Sequence, residues 1–514
     1  MTKNNWKVIV ILILAFIVPF TLLSMFFYQP IYAPVFLSDA SSVDDFISQL
    51  NDRISGLLET HMVPGAAIAV ISNNQTEYIY AGLLDYRFGS PITLTSQFQL
   101  GSISKSQCAF AIMKLVQDGL IDLDEPIQTY LTRWILLHGS FNASKVTVRR
   151  ILSHTAGFNV PTVTMYQSLT TTPRIEDALI LEGVRVVVEP GTEFIYSGGG
   201  FGVLQLLIEE VTGMRYAEYL TTQIFQPLGL NNSQTYFKDT NPNQLAIGHG
   251  YLREVTPSAH MALVAAAGHY SSIEDMASWC NALLADDTFL NASITETMFS
   301  PEVGNSTYGY ALGFHCYELN NGLKVVGHDG SIWGYNGVFR IIRETGDGIV
   351  ILTNGDRGRA LITEIMIQWE KLMGDGRAVV NDEFTGPSET QWEIEYVHHL
   401  WLTQIELLIS LVIIVFLGVG IIRGNIVIDL IGVSKLGLRV YAAVVLLVVL
   451  VVYLINWWWA DMSFSHTPSS HVLAMVIPAS WLVWAIPASL VIRYYQRINA
   501  KEGYANLSNR NTND

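Results

Sequence analysis

Ser102 and Lys105 have the spacing in this 514-residue chain that is best suited to chemistry. Residues 106–119 read as a helical run directly after them, and side chains three positions apart on a helix lie on the same face. A lysine amine placed there can take the proton of the serine hydroxyl, which turns a poor nucleophile into an effective one. Because a Ser-x-x-Lys match also arises by chance in a chain of this length, the prediction of a nucleophilic serine depends on the segments that accompany it.

Tyr196 is a second candidate, because it precedes the glycine-rich turn 198–200 and a predicted helix over residues 201–211. A tyrosine at such a turn can project its phenol into a cleft. A nearby lysine ammonium would lower the pKa of that phenol and make it a candidate base. The alternative is a tyrosine packed against the sheet. The glycines do not indicate a phosphate site, since neither a Gly-x-x-x-x-Gly-Lys-Ser/Thr pattern nor a nucleotide-binding strand–helix unit is present.

His328, Gly330 and Ser331 form a third candidate segment, which we expect on or beside a strand edge. A glycine there lets a substrate backbone approach closely, and the N–H that follows can point at a developing oxyanion. The alternative is a hairpin with an exposed histidine. We predict no metal site, since no group of His, Cys and Asp residues has the spacing of metal ligands.

The elements that must position these residues follow from the hydrophobic patterning. The predicted elements are a helix over residues 42–58, strands over 66–72 and 77–81, strands over 308–318, 323–326, 337–343 and 348–353, and a closing helix over 360–373. Residues 40–375 are therefore predicted to form one α+β domain, in which helices flank an antiparallel sheet. The N-terminal strands begin this sheet, the C-terminal strands complete it, and a helical insertion lies between them.

Taken together, these segments resemble the serine β-lactamase and penicillin-binding-protein superfamily, in particular its class C β-lactamase, D-aminopeptidase and DD-peptidase-like branch. The resemblance covers residues 43–373 and implies a β-lactamase/transpeptidase-like fold. The motifs that carry it are residues 102–105, 118–124, 152–157, 190–192 with Tyr196, and 328–330.

The resemblance also implies roles for the reactive side chains. Ser102 would be the acylated nucleophile, and Lys105 and Tyr196 would share the role of base. His154 lies in the 152–157 motif and could be misread as the histidine of a Ser-His-Asp triad. The family carries that motif for structure, so His154 is not part of the predicted catalytic set.

The substrate-binding side of the site is implied by the same resemblance. His328 and Gly330 would border the site in place of the family's Lys-Thr-Gly box, and the backbone N–H groups of Ser102 and Ser331 would form the oxyanion hole. One departure concerns the family's Tyr-x-Asn box, where this chain has Gly198 at the Asn position. The missing amide would hold a substrate's acylamino group, so β-lactamase and transpeptidase activity are disfavoured, while acyl transfer itself remains possible.

Four apolar runs are each long enough to cross a membrane, which needs ~20 residues. They cover residues 8–27, 407–422, 440–458 and 472–492. The predicted divisions are an anchor or signal sequence over 1–28, a linker over 376–400, three transmembrane helices over 401–493 and a cytoplasmic tail over 494–514. We favour an uncleaved anchor over a cleaved signal peptide, because the first run is longer than a signal peptide requires.

Basic residues predict the orientation of these spans. They are Lys3 and Lys7 before the first run, Arg423, Lys435 and Arg439 between the second and third, and Arg493, Arg497, Lys501 and Arg510 in the tail. Residues 460–471 contain none. The positive-inside rule then places both termini in the cytoplasm and residues 28–400 outside. The predicted location is a multi-pass protein of the cell membrane with an extracytoplasmic catalytic domain.

The composition of the outer segment excludes one class of partner. Residues 28–400 contain 20 basic and 40 acidic residues, so their mean surface repels nucleic acid. The three cysteines Cys108, Cys280 and Cys316 allow at most one disulfide, and buried free thiols are the favoured interpretation.

The predicted function is that of a membrane-anchored serine hydrolase that forms an acyl-enzyme on an amide or ester, with a small peptide or D-amino-acid derivative as substrate. The expected partners are this substrate and the lipid bilayer, and no cofactor is needed. Two alternatives remain open: an esterase on acyl or lipidic substrates, and a non-catalytic, penicillin-binding-like sensor that signals through the C-terminal spans.

Overall fold

An eight-stranded antiparallel sheet forms the centre of the computed structural model, which describes residues 36–374 except 74, 167–168, 236–243, 252, 258–259, 286–288 and 305–307. The strands of this sheet are β1 (Gly65–Ser72), β2 (Gln75–Gly82), β5 (Val303–Gly304), β6 (Gly309–Tyr310), β7 (His315–Glu318), β8 (Lys324–Ile332), β9 (Tyr335–Ile342) and β10 (Asp347–Thr353). Two further strands, β3 (Gln97–Gln99) and β4 (Tyr270–Ser272), pair with each other in a small separate sheet.

The first hairpin of the chain pairs with its last strand. The spatial order of the strands is β2-β1-β10-β9-β8-β7-β6-β5, and the β1–β10 register places Ala66 opposite Thr353. The helices are α1 (Val43–His61), α2 (Ile103–Gln117), α3 (Val148–Leu152), α4 (Ile175–Leu181), α5 (Gly198–Thr212), α6 (Tyr216–Tyr219), α7 (Val264–Ala267), α8 (Ile273–Leu284), α9 (Ala292–Phe299) and α10 (Gly358–Gly374). The predicted α+β architecture, with a helical insertion between two groups of strands, is confirmed.

The two faces of the sheet are both covered, which explains why β1 is apolar at nearly every position. Ile68 and Val70 pack in one core with α1 and α10. Ala69 and Ile71 alternate with them and pack in the second core, with α2 and α8. Since successive strand residues point to opposite faces, one short strand supplies side chains to both cores.

Two strand predictions differ from the structure. The predicted strand over 308–318 is divided into β6 and β7 by the turn 311–314. The strand predicted to end at residue 326 continues to Ile332 as β8, because it pairs with β9 from Val326 opposite Ile341 to Ile332 opposite Tyr335. Glycines at positions 327 and 330 hide this continuation in the sequence, since glycine is depleted in strands.

The chain enters and leaves this domain at neighbouring places. The Leu37 N–H donates to Glu364 on α10 over 2.7 Å, and Lys371 Nζ lies 2.9 Å from the carboxylate of Asp39. His61 at the end of α1 also pairs with Glu364, at 2.6 Å. Contacts of α10 with α1 and with the segment before α1 therefore join the two end regions of the described chain.

Of the helices in the described ranges, none has both the length and the apolar character needed to cross a membrane. The four predicted spans, the linker over 376–400 and the C-terminal tail all lie outside the described residues.

Candidate active site

Ser102 lies immediately before α2, and Lys105 extends from the first turn of that helix back to it. Lys105 Nζ is 3.0 Å from Ser102 Oγ and donates a second hydrogen bond to the carbonyl oxygen of Ala266 over 2.7 Å. The lysine side chain is buried, whereas Ser102 is partly accessible. The sequence prediction that these two side chains meet on one helix face is what the geometry shows.

Burial changes the charge state of Lys105. Its surroundings lower the pKa of the amine to about 7, because transfer from water disfavours the charged form. The amine also faces two aromatic rings, with Nζ 4.7 Å from the ring centre of Tyr196 and 5.8 Å from that of Phe201. In the neutral form one N–H can remain on Ala266 while the lone pair accepts the Ser102 proton.

Tyr196 is a second neighbour of the nucleophile, and the Ser102 side chain interacts with its phenol. Burial raises the pKa of Tyr196 above its ordinary value, and the carboxylate of Asp329 adds to the rise. The prediction that a lysine ammonium would lower this pKa is therefore wrong. The reason is physical: the phenol itself is buried, and burial disfavours the charged phenolate more than the neighbouring groups can stabilise it. Tyr196 is thus a proton donor in its resting state.

His328 lies within β8 and is buried, so the alternative of a hairpin with an exposed histidine is wrong. Its Nδ1 is 2.6 Å from the Asp329 carbonyl oxygen, and its Nε2 is 3.1 Å from the Tyr310 hydroxyl. A carbonyl can only accept, so Nδ1 carries the proton and Nε2 accepts from Tyr310. Burial, with His315 and Lys105 nearby, holds the pKa of His328 well below its ordinary value, and the ring is neutral.

Gly330 allows β8 to approach the turn that precedes the nucleophile. A Cβ at Gly330 would lie 2.0 Å from the carbonyl oxygen of Leu100, and one at Gly101 would lie 2.7 Å from the Ser331 nitrogen. Gly101 also has a φ of +54°, a conformation that favours glycine. Two glycines therefore bring the backbone of Ser331 next to the segment that carries Ser102, as an oxyanion hole formed by both N–H groups requires.

Gly198 is the first residue of α5 and is buried beneath residues 161–163. Its N–H donates to the Pro161 carbonyl over 3.3 Å, and a Cβ at this position would lie 2.9 Å from Val163 Cγ1. The position where the family has an asparagine is therefore occupied by a neighbouring loop as well as lacking a side chain.

The segment around α7 holds the nucleophile helix in place, and sequence reasoning missed it. The Leu100 N–H donates to the His269 carbonyl over 2.8 Å, and the His269 N–H donates to Ser104 Oγ over 3.0 Å. The His269 ring contacts Gln107 at 2.7 Å. Together with the Ala266–Lys105 bond, these contacts fix the first turn of α2 from a segment more than 150 residues away, for which the sequence carries no motif.

The described residues also bear on metals and thiols. Within them, no group of three or more His, Cys, Asp or Glu side chains could hold a metal ion.

Cys108, Cys280 and Cys316 are all buried and free, as predicted. Burial raises the pKa of the Cys108 thiol to about 12, so this neighbour of Lys105 is an unreactive thiol.

The fold and this arrangement are those of the penicillin-binding protein and β-lactamase class of serine hydrolases. The sequence matches the family described as Beta-lactamase over residues 50–367, more than half of the chain, and the protein belongs to that family. The resemblance inferred from the motifs is confirmed at this level.

Individual relatives agree with the family assignment. The chain is 27% identical to penicillin-binding protein 4 of Amycolatopsis lactamdurans, over 66% of this chain and 92% of the relative. It is 26% identical to penicillin-binding protein 4* of Bacillus subtilis, over 54% of this chain and 65% of that protein. Among solved structures, the octameric penicillin-binding protein homologue from Pyrococcus abyssi is 26% identical, with a TM-score of 0.53 over 60% of this chain and 74% of that one.

Proposed function

We propose that this protein is a membrane-anchored serine hydrolase whose catalytic domain lies outside the cytoplasm and which forms an acyl-enzyme on an amide or ester of a small peptide or D-amino-acid derivative. The observation that carries the proposal is the 3.0 Å contact between Ser102 Oγ and Lys105 Nζ, with a lysine pKa of about 7. A buried amine that is half neutral near neutral pH is poised to accept a proton from the hydroxyl beside it.

Acylation follows from this geometry. Ser102 Oγ attacks the substrate carbonyl carbon while Lys105 Nζ takes the hydroxyl proton. The oxyanion of the tetrahedral intermediate accepts hydrogen bonds from the backbone N–H groups of Ser102 and Ser331. The bond to the leaving nitrogen or oxygen then breaks as the Tyr196 hydroxyl donates its proton to it. The Lys105 ammonium returns a proton to Tyr196, so the amine is neutral again.

Deacylation reverses these proton transfers. A water molecule attacks the Ser102 ester, gives one proton to Lys105 and supplies the hydroxyl of the released carboxylic acid. The Ser102–acyl bond breaks as Ser102 Oγ takes a proton back from the lysine. Every atom of the cycle comes from substrate, water and these side chains.

An esterase on acyl or lipidic substrates is the second candidate, and Gly198 favours it. A glycine offers no side-chain amide to a substrate's acylamino group, and Val163 lies where such a side chain would begin. A simple ester needs no such contact. The predicted membrane anchoring would also keep the site near lipids.

Covalent labelling tests whether the protein is an acyl-enzyme hydrolase at all. The full chain in membranes would be treated with a fluorophosphonate and, separately, with a fluorescent penicillin. We expect labelling of the wild type and of Ser42→Ala, which changes the serine at the start of α1, and none of Ser102→Ala. A wild type that resists both reagents would leave the binding-only sensor as the better interpretation, and a labelled Ser102→Ala would overturn the assignment of Ser102 as the nucleophile.

A panel of substrates then separates the two hydrolase candidates. p-Nitrophenyl esters of short acyl groups would be compared with p-nitroanilides of D- and L-amino acids, on the wild type and on Ser102→Ala. Turnover of D-aminoacyl anilides supports the peptidase-like proposal. Turnover of the esters alone would favour the esterase.

The proposed orientation in the membrane has its own test. Protease added to intact spheroplasts should digest residues 28–400 and spare a tag placed after Asp514. This expectation depends on the basic residues that flank the predicted spans. A tag digested together with the catalytic domain would reverse the topology.

A further inference from the structure

His154 contacts three consecutive residues of the segment that carries the tyrosine of the site. Its carbonyl oxygen accepts a hydrogen bond from the Ile195 N–H over 2.8 Å, and its Nδ1 accepts one from the Ser197 N–H over 3.0 Å. The imidazole ring packs against the phenol ring of Tyr196, which lies between these two residues in the chain, and the two ring centres are 4.3 Å apart. One residue thus fixes the backbone on both sides of the tyrosine and covers its ring.

The imidazole holds this position in an unfavourable setting. His154 has a φ of +59°, which few side chains adopt, and it is 2% exposed. Since Nδ1 accepts from Ser197, the neutral ring carries its proton on Nε2, and in the described part of the chain this N–H has no hydrogen-bond partner. A buried donor without a partner destabilises the fold. The contacts of the imidazole with residues 195–197 are the feature that can offset this cost.

We propose that His154 is the positioning residue of Tyr196, and that it holds the phenol where it can protonate the leaving group. This inference depends on the acyl-enzyme function proposed above. It gives His154 a role in one proton transfer, beyond the structural role that the family resemblance implies for its motif. His154 itself exchanges no proton in the cycle proposed above.

The role has a consequence that a general loss of structure lacks. An alkoxide or an amine anion is a poor leaving group and must receive a proton as the bond breaks, whereas p-nitrophenolate and fluoride depart without one. A displaced Tyr196 should therefore slow the hydrolysis of an alkyl ester far more than that of the p-nitrophenyl ester of the same acid. The ratio of the two rates measures the position of the phenol.

Three variants separate the contacts. His154→Phe keeps a ring against Tyr196 and loses the acceptor for Ser197. His154→Asn places an amide oxygen near the position of Nδ1, tolerates a positive φ and loses the ring. His249→Phe is the matched control, because His249 is 0% exposed, its Nε2 accepts a backbone N–H from Tyr86 over 3.2 Å, and its Nδ1 pairs with Asn354, after β10.

The full chain in detergent would be assayed with both esters of one acyl group and with the fluorophosphonate. We expect His154→Phe to lower kcat on the alkyl ester by about 30- to 100-fold, as a misplaced catalytic group does, with KM, p-nitrophenyl ester turnover and labelling within about threefold of wild type. His154→Asn should recover most of the lost alkyl ester rate. His249→Phe should leave the ratio of the two esters unchanged.

The result that overturns the proposal is an equal loss on both esters in a folded His154→Phe, or no loss on either. Should that variant fail to fold, His154→Asn and His154→Gln decide, because the asparagine amide lies near the Nδ1 position and the glutamine amide reaches past it. If the ratio of alkyl ester to p-nitrophenyl ester turnover is the same in these two variants, positioning through Nδ1 is excluded. Failure of the underlying function is distinct, since it appears as a wild type that neither labels nor hydrolyses.

Discussion

Two serines stand at the start of helices beside the same site, and they use their hydroxyl groups in opposite ways. Ser197 precedes α5 in an extended conformation, with φ −138° and ψ 115°, and its Oγ accepts from the Gly200 N–H over 3.1 Å. Ser102 precedes α2 with φ −66° and ψ −11°, which is already helical, and its hydroxyl makes no cap bond to α2, all of whose residues are described. Its neighbours are instead Lys105 and Tyr196.

The difference teaches what a reactive serine needs at a helix start. A capping serine stabilises its helix because its Oγ accepts a hydrogen bond from a backbone N–H. That oxygen is then less available for reaction. A helical backbone at the cap position turns the hydroxyl away from that bond and leaves it for a base. The residue three positions later completes the contrast, since it is Lys105 in one case and Gly200 in the other.

Ser102→Ala should give the largest effect, and only on activity. We expect turnover to fall by about 10³-fold or more, since a nucleophile is removed, while the free energy of unfolding changes by less than about 0.5 kcal/mol, since no cap bond is lost. Turnover and thermal unfolding of the solubilised chain would be measured together. A variant that retains more than a few per cent of the activity contradicts the assignment of the nucleophile.

The pKa of Lys105 predicts a pH dependence of kcat/KM that a serine acting only as a helix cap cannot produce. The amine works in its neutral form and its pKa is about 7, so kcat/KM on a neutral ester should rise with pH and level off above that value. Below it, the rate should fall about tenfold per pH unit as the amine gains its proton. Lys105→Met should remove about 10²- to 10⁴-fold of the rate and flatten the profile. A wild-type rate that is constant from pH 5 to 9 would exclude this amine as the base.

Gly198, the residue after the capping serine, offers a change in specificity. Gly198→Asn alone should lower stability and activity, because its Cβ would meet Val163 Cγ1 at 2.9 Å. Combined with Val163→Ala, it should raise kcat/KM on acylated amino-acid substrates by roughly three- to tenfold, the value of one hydrogen bond of ~0.5–1.5 kcal/mol, and leave simple esters unchanged. Val163→Ala alone is the control. An equal change on both substrate classes in a folded double variant would refute the specificity argument.

Ser197→Ala should give the smallest effect, on stability. Loss of the cap bond to Gly200 costs ~1 kcal/mol, and turnover should fall no more than a few-fold because the hydroxyl takes no part in the chemistry. Ser272→Ala provides the comparison, since Ser272 caps α8 by accepting from the Asp275 N–H over 3.2 Å. Denaturant unfolding should give a loss for Ser197→Ala at least as large as that for Ser272→Ala, because Ser197 Oγ also donates to the Asn159 carbonyl. A large loss of turnover in Ser197→Ala would mean that its hydroxyl has more than a capping role.

The sequence predicts those parts of the site that depend on local geometry. The contact between Ser102 and Lys105 follows from their spacing on one helix, and the sheet follows from the two groups of apolar strands. The closeness of Gly330 to the nucleophile turn was implied by the resemblance to a known family. In each case a short stretch of chain contains the information.

Other parts depend on residues that meet only in the folded chain. No pattern connects Lys105 to the carbonyl of Ala266, or His154 to the backbone of residues 195–197. The predicted direction of the Tyr196 pKa shift is wrong for the same reason, because the shift depends on how deeply distant segments bury the phenol. The sequence does not predict the capping role of Ser197 either, since a serine before glycines does not indicate whether its hydroxyl caps the helix or stays available, as that of Ser102 does.

The adjacency of the two ends of the domain has a mechanical consequence. Lys371 Nζ and an oxygen of the Asp39 carboxylate lie 2.9 Å apart, so tension applied through both ends of the described chain would act first on the contacts between α10 and the segment before α1. Neighbouring ends are also the condition for circular permutation. A permuted chain would have a short linker between residues 36 and 374 and new termini at the exposed turn around Gly322. It should keep every strand pairing of the sheet and give the catalytic domain as a separate folding unit.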